Sequence, residues 1–283
     1  DESAAPAPST CSAAMDHTEA GVGDGGGLRG VTVERRAALG GVRAAAPGGR
    51  GLCRSQAEDD GARGPPAGNL GCEGAMAAAL LARAGGLGLR PHGLAFHVGS
   101  QQCDTGAWEG AVAQSAEIFR DLEERGVELS MLNIGGGFPA RYDGSIQGFA
   151  AYAGAIDRAL TRHFGNRLPQ TLAEPGRFLV GDAGILQAEV VLISRKSQTE
   201  PKRWVYLDIG RFGGLAETMG EAIQYALRTP HDGGPSGPAI LAGPTCDRVG
   251  IRDRRGGDEM ALERAIGGRG GCLAARRVDA PHR

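Results

Sequence analysis

Apolar residues recur with two different periods through the middle of the chain. The run AMAAALLARA at 75–84 is dense in Ala and Leu, strong helix formers, and predicts a helix. At 108–124, Val112, Ile118, Phe119 and Leu122 fall at helical spacing and predict an amphipathic helix. Residues 149–164 predict another. Between and after these helices lie short apolar runs, at 94–98, at 129–134 and ending at Leu172-Ala173. Each closes on glycine, serine or charged residues. Alternating strands and helices of this kind predict a parallel α/β fold, with polar and glycine residues at the carboxyl ends of the strands.

The rhythm changes after Gly184. Residues 187–194 and 203–208 are β-rich and separated by a polar turn, and 239–242 is another short strand. These predict a second, sheet-based domain. The chain therefore divides into a barrel part at 69–183 and a β part at 184–247. Residues 1–68 and 248–283 show no sustained period and read as loop or disorder.

Composition sharpens this. Glycine is 49 of 283 residues, and 31 basic against 33 acidic residues leave a net charge of −2. That balance argues against a nucleic-acid protein held by a general basic field. No run of 18 apolar residues predicts a membrane-spanning helix, and residues 1–10 lack the layout of a signal peptide. Six irregularly spaced cysteines are not a disulfide scaffold, so a soluble, reducing, cytoplasmic setting is expected. Lysine occurs only at Lys196 and Lys202.

Several strand ends carry groups capable of chemistry. Phe96-His97-Val98-Gly99-Ser100 releases an imidazole and a hydroxyl together. Asn133-Ile134-Gly135-Gly136-Gly137-Phe138-Pro139 lets backbone N–H groups come close to an anion. Ala173-Glu174-Pro175-Gly176-Arg177 combines an acid, a rigid turn and a guanidinium. Gly243-Pro244-Thr245-Cys246-Asp247 offers a thiol beside a carboxylate. Leu207-Asp208-Ile209-Gly210 reads as structural at Asp208, and Tyr225 either faces a substrate or packs. For each motif alone a structural role is the competing reading: a core histidine, a tight loop, a surface ion pair, a buried cysteine. The G-x-G-x-x-G at 21–26 is not read as a dinucleotide fingerprint, because the polar DHTEA before it is no strand. The histidines and cysteines lack zinc-ligand spacing.

Together these segments resemble the pyridoxal-phosphate (PLP) decarboxylases that act on ornithine, diaminopimelate and arginine. The resemblance is carried by FHVGSQ (96–101), NIGGGFP (133–139), AEPGRFLVGDAG (173–184), WVYLDIGRFGGLAE (204–217) and GPTCD (243–247). It is close over 69–247, with an echo back to about Ala44, where Leu52-Cys53-Arg54 resembles a barrel strand and Asn69-Leu70-Gly71-Cys72 a "KFGC" segment. The stretch at 204–225 most resembles the bacterial ornithine/lysine branch. The resemblance implies a (β/α)8 TIM-type barrel, incomplete at its N-terminus, plus a partial C-terminal β domain. It implies a homodimer with sites at the interface, while the charge balance and the lack of long apolar runs leave no nucleic-acid or membrane partner expected. His97 would stack on the PLP ring. Ser100 and the amides of Gly135, Gly136 and Gly137 would bind phosphate, with Arg177 nearby, and Glu174 would pair with the pyridinium nitrogen. Cys246 would protonate the carbanion left by CO2 loss, Asp247 would face the substrate amine across the dimer, and Tyr225 would contact substrate. The implied reaction is decarboxylation of a basic amino acid, ornithine to putrescine in polyamine synthesis. Diaminopimelate decarboxylation and a non-catalytic homologue are the alternatives.

The chain departs from the family at one decisive point. The family carries a Schiff-base lysine in an early "AVKANP"-like motif, and residues 1–195 contain no lysine. Its aromatic C-terminal motif is also missing, since the tail after Asp247 holds no tyrosine. The shift to Arg, Gly, Ala and Pro on both flanks of a family-like centre is the pattern expected where coding sequence is read out of frame.

Overall fold

The computed structural model describes residues 31–33, 36–45, 47–57, 61–62, 71–142, 146–181, 183–200, 202–221, 223, 225, 227–230, 239–244, 248–249 and 272–275. The G-x-G-x-x-G stretch at 21–26 and the Thr245-Cys246-Asp247 motif lie outside them. The chain forms two compact units, one of residues 1–62, 66–137 and 147–175, the other of 63–65, 138–146 and 176–283.

The first unit alternates β1 (Val31–Val33), α1 (Arg36–Ala45), β2 (Arg50–Arg54), α2 (Gly74–Gly86), β3 (Arg90–Ala95), α3 (Ala107–Glu124), β4 (Met131–Asn133), α4 (Phe149–Phe164) and β5 (Gln170–Leu172). The five strands pair in sequence order and all in parallel. This is the strand–helix repeat of a partial barrel. In a barrel the crossover helices cover the outer face of the parallel strands and side chains fill the inner face, so strand residues are buried on both sides. β4 accordingly has all three residues buried, and β2 buries Gly51, Leu52 and Cys53 in succession. α3 buries Trp108, Ala111, Val112, Ser115, Ala116, Ile118 and Leu122, the stripe expected of a helix lying on a sheet.

Two buried aromatics tie the helices to the strand-end loops. Trp108 meets Tyr152 edge-on, with ring centroids 5.8 Å apart. Trp108 Nε1 donates to the Ile134 carbonyl at 3.3 Å, just before the three glycines. Tyr152 Oη donates to the Gln102 carbonyl at 3.1 Å, just after Ser100. Tyr152→Phe should therefore leave a buried carbonyl without its hydroxyl and cost about 1–2 kcal/mol of stability. Chemical denaturation of the two chains side by side measures this, and an unchanged midpoint would contradict it.

The stretch before residue 69, which has no sustained period, contains β1, α1 and β2. Their signal is short rather than missing. β1 and β2 span three and five residues, and α1 carries the buried Leu39 and Val42 around a Gly40-Gly41 pair of low helix propensity.

The second unit contains α5 (Gly176–Val180), β6 (Leu186–Ser194), β7 (Arg203–Leu207), 3₁₀ turns at Arg211–Gly213 and Ala216–Glu221, β8 (Leu227–Arg228), β9 (Ala239–Ala242), β10 (Arg248–Val249) and β11 (Cys272–Ala275). The sheet order is β10-β9-β7-β6-β11-β8. Among the described strands of this sheet, only the β7–β9 pair is parallel. β7 alternates buried and half-buried residues, as in a sheet with one covered face. Its core gathers Ala188, Val190, Val205, Leu207, Leu215 and Leu241. Asp208 is structural here: its carboxylate accepts the Glu189 N–H at 2.8 Å. The second unit takes in 138–146 as well as the chain from Gly176 on. Two short strands, β10 and β11, lie in the tail that composition alone reads as loop.

Candidate functional site

Sheet register builds the first half of the site. Ala95, Asn133 and Leu172 are partners across β3, β4 and β5. Hydrogen bonding continues past the strand ends. Phe96 N–H donates to Asn133 O at 3.0 Å, Ile134 N–H to Leu172 O at 2.9 Å and Glu174 N–H to Gly135 O at 2.8 Å. Three motifs far apart in sequence are thereby laid side by side, which brings His97, Gly135–Gly137 and Glu174 together.

The glycines are required by this closeness. Gly135 has φ +67° and Gly137 φ +93°, backbone that side chains rarely adopt. A β-carbon on Gly135 would lie 2.0 Å from the Phe96 carbonyl oxygen. One on Gly136 would lie 2.9 Å from the Glu174 carbonyl oxygen and 3.1 Å from His97 Nε2.

Asn133, to which sequence reasoning gave no role, organises the cluster. Its Nδ2 donates to Glu174 Oε1 at 2.7 Å, and its Oδ1 accepts the Gly135 N–H at 2.9 Å. Asn133 is buried while Glu174 is exposed, so a fixed amide aims an accessible carboxylate. The sequence expectation gave all three glycine amides to an anion; in the structure that of Gly135 is engaged by Asn133. Gly99 N–H donates to His97 Nδ1 at 3.0 Å, which makes Nδ1 an acceptor and fixes the ring orientation. Ser100 is half-buried in the same loop, beside Gln101 at φ +55°.

The remaining described candidates lie in the second unit. Arg177, in α5, grips Glu217 through both terminal nitrogens, one of these bonds at 2.8 Å, and donates to Tyr142 Oη at 3.3 Å. Tyr225 Oη donates to Glu217 Oε2 at 3.1 Å, and its ring meets Tyr142 edge-on at 5.2 Å. Glu217 is the second residue that sequence reasoning passed over, although it ends the WVYLDIGRFGGLAE motif. Its pairing raises the Arg177 pKa and, through the Arg177 hydrogen bond first, lowers its own, against the effect of burial. Burial, and then the Glu217 charge, push the Tyr225 hydroxyl up.

A carboxylate with a lowered folded-state pKa stabilises the fold above its unfolded value, and that stability is lost as pH falls through the lowered value. Glu217→Gln should therefore melt below the parent chain at neutral pH and lose less stability on acidification through and below the usual glutamate range. Melting curves at neutral and acid pH read this directly; parallel pH profiles for the two chains would contradict it.

Comparison with known proteins adds to this geometry. Residues 24–181, more than half of the chain, match the family described as pyridoxal-dependent decarboxylase, pyridoxal binding domain. The match takes in residues 24–68, which the motifs themselves barely reach. A lysine/ornithine decarboxylase of Selenomonas ruminantium is 34% identical over 190 residues, covering 66% of this chain and 46% of the relative. Antizyme inhibitor 2 of Xenopus laevis is 30% identical over 204 residues, covering 65% of this chain and 44% of the relative. The chain spans about half the length of the curated relatives it matches. A crystal structure of an SrLDC mutant in complex with PLP aligns at 28% identity and a TM-score of 0.70, over 88% of this chain and 62% of that one.

PLP is the cofactor these matches identify, and the first unit fits it. Three strand ends leave a side-chain-free cradle at Gly135–Gly137. A carboxylate aimed by Asn133 and an imidazole with fixed Nδ1 border it. These are the donor and acceptor types that a phosphate and a protonated pyridine ring require. Among the described residues, no helix is long and apolar enough to cross a membrane, and no cluster of three or more His, Cys, Asp or Glu could hold a metal ion.

Proposed function

The chain belongs to the pyridoxal-dependent decarboxylase family, and from that membership we propose that it binds PLP at the ends of β3–β5 and acts on a basic amino acid, ornithine, releasing CO2 and putrescine. The observation that carries the reading is the Asn133–Glu174 pair beside the glycine turn. It provides a fixed carboxylate at the place where the family motifs put the partner of the pyridine nitrogen. When bound, PLP supplies an electron sink for the bond that loses CO2.

The chain's own residues do the rest. Glu174 holds a proton on the ring nitrogen. His97 packs against the ring face. Ser100 and the Gly136 and Gly137 amides take the phosphate. Cys246 Sγ returns a proton to the carbon that has lost CO2. Asp247 receives the distal amine of the substrate, and Tyr225 borders it. A homodimer in the cytoplasm completes this reading, with Asp247 reaching its substrate across the interface.

The positions of its lysines set its terms. The 283-residue chain carries lysine only at 196 and 202, in the second unit. We therefore place PLP in this chain by non-covalent contacts alone, with turnover far below that of an enzyme with the lysine. The test is CO2 release by the PLP-loaded chain from ornithine, lysine and diaminopimelate, each tried separately. Release above the rate of free PLP, fastest with ornithine, supports the reading. Preference for diaminopimelate would replace the substrate, and release equal to free PLP would remove the activity.

A second reading is a non-catalytic homologue that pairs with a decarboxylase subunit. The relative named antizyme inhibitor 2 supports this reading. Size-exclusion of the chain with an intact decarboxylase, followed by assay of the mixture, tests it. Failure both to co-elute and to alter activity would end it.

A further inference from the structure

We infer that Cys53 and Cys72 are a redox-modification site, a thiol pair poised to close into a reversible disulfide. This inference does not rest on the cofactor reading.

Cys53 lies in β2, buried in the sheet, and Cys72 lies two residues before α2. Their Sγ atoms are 3.8 Å apart, and no disulfide joins them. A disulfide needs about 2.05 Å, so side-chain rotation has less than 2 Å to make up.

The backbone already brings the two segments into place. Cys72 N–H donates to Arg54 O at 3.0 Å, Gln56 N–H donates to Cys72 O at 2.8 Å, and Ser55 pairs with Cys72 as an isolated parallel bridge. Closure therefore costs little rearrangement, and the bond would fasten the end of β2 to the start of α2. A surface pair held only by side chains would have no such pre-alignment.

The two thiols are not equivalent. Cys53 is fully buried, whereas Cys72 retains 8% of its surface. Cys72 is the one a small oxidant meets first. Its thiolate attacks hydrogen peroxide, the O–O bond breaks, and hydroxide leaves, giving a sulfenic acid. The Cys53 thiol then attacks that sulfur, the S–O bond breaks, and water leaves as the S–S bond forms. In total, two thiols lose two electrons and two protons, and one peroxide becomes two waters. A dithiol reductant reverses the change by exchange. A transient bond of this kind is consistent with the reducing setting expected from the six cysteines, which excludes a permanent scaffold rather than a switch.

The experiment treats the full chain with hydrogen peroxide at neutral pH and maps thiols and disulfides by mass spectrometry under denaturing conditions. The expected product has lost two hydrogens, contains a Cys53–Cys72 linked peptide, is restored by dithiothreitol and melts several degrees higher. Cys53→Ala should then leave Cys72 as a sulfenic acid trapped by dimedone, while Cys72→Ala should leave Cys53 unreacted. Both variants are first checked by circular dichroism and melting. If either fails to fold, the linked peptide in the parent chain decides the matter. Peroxide treatment that leaves both thiols open to alkylation after denaturation, or that links either one to Cys103, would overturn the inference.

Discussion

Replacing Gly135 with alanine is expected to destabilise the first unit by about 3 kcal/mol or more and to abolish PLP binding. Two independent effects add. The residue sits at φ +67°, where a side chain is strained, and its new β-carbon would fall 2.0 Å from the Phe96 carbonyl oxygen. The obstruction is backbone, so no rotamer change relieves it. Either β3 and β4 separate beyond their last paired residues, or the turn flips. Both outcomes move the Asn133 contact to Gly135 N–H and with it the Glu174 carboxylate. At about 2–4 °C per kcal/mol for a domain of this size, the melting midpoint should fall by roughly 6–12 °C. Gly148→Ala is the control, because nothing lies within 4 Å of its β-carbon position and its φ is an ordinary −67°. A Gly135→Ala chain that melts and binds PLP like its parent would show that the cradle is drawn wrongly.

The second large effect is expected at Glu174. Its alanine variant should bind PLP about tenfold more weakly, a loss of about 1.4 kcal/mol, the size of one charge-assisted hydrogen bond. The rate of CO2 release should fall further, by about 10²–10³, because a carboxylate holding the ring proton matters most when the electrons move onto the ring. Stability should fall by about 1 kcal/mol: Glu174 is itself exposed, but its loss takes the acceptor from the buried Asn133 amide. PLP titration, melting and the CO2 assay on one preparation separate the three effects. Asn133→Ala serves as the positioning test. It should reproduce a smaller part of the rate loss, since it frees the carboxylate without removing it. Equal rates for Glu174→Ala and the parent would remove Glu174 from the chemistry.

Much of this was legible in the sequence, for a physical reason. Long helices announce themselves by period, and 108–124 and 149–164 agree with α3 and α4 to within a residue. The strand-end motifs were legible because three consecutive glycines, or an acid next to Pro-Gly-Arg, are rare combinations. What was not legible falls into two kinds. β1, α1 and β2 are too short and too glycine-rich for a window of a dozen residues to register. Asn133 and Glu217 act through partners 41 and 40 residues away, Glu174 and Arg177, and no local pattern encodes such a pairing. The order NIGGG followed by EPGR gave the one available hint for Asn133, as a polar residue at the end of a fully buried strand.

The central claim is that PLP sits at the ends of β3–β5 in this chain without a covalent bond to it. The direct measurement is to load the chain with PLP, remove the excess, quantify what is retained, then reduce with borohydride and determine the protein mass and modified peptides after denaturation. The account predicts about one PLP retained per native chain, released on denaturation, with no stoichiometric pyridoxyl group on any lysine. A stoichiometric adduct on Lys196 or Lys202, or a chain that retains no PLP at all, would contradict it.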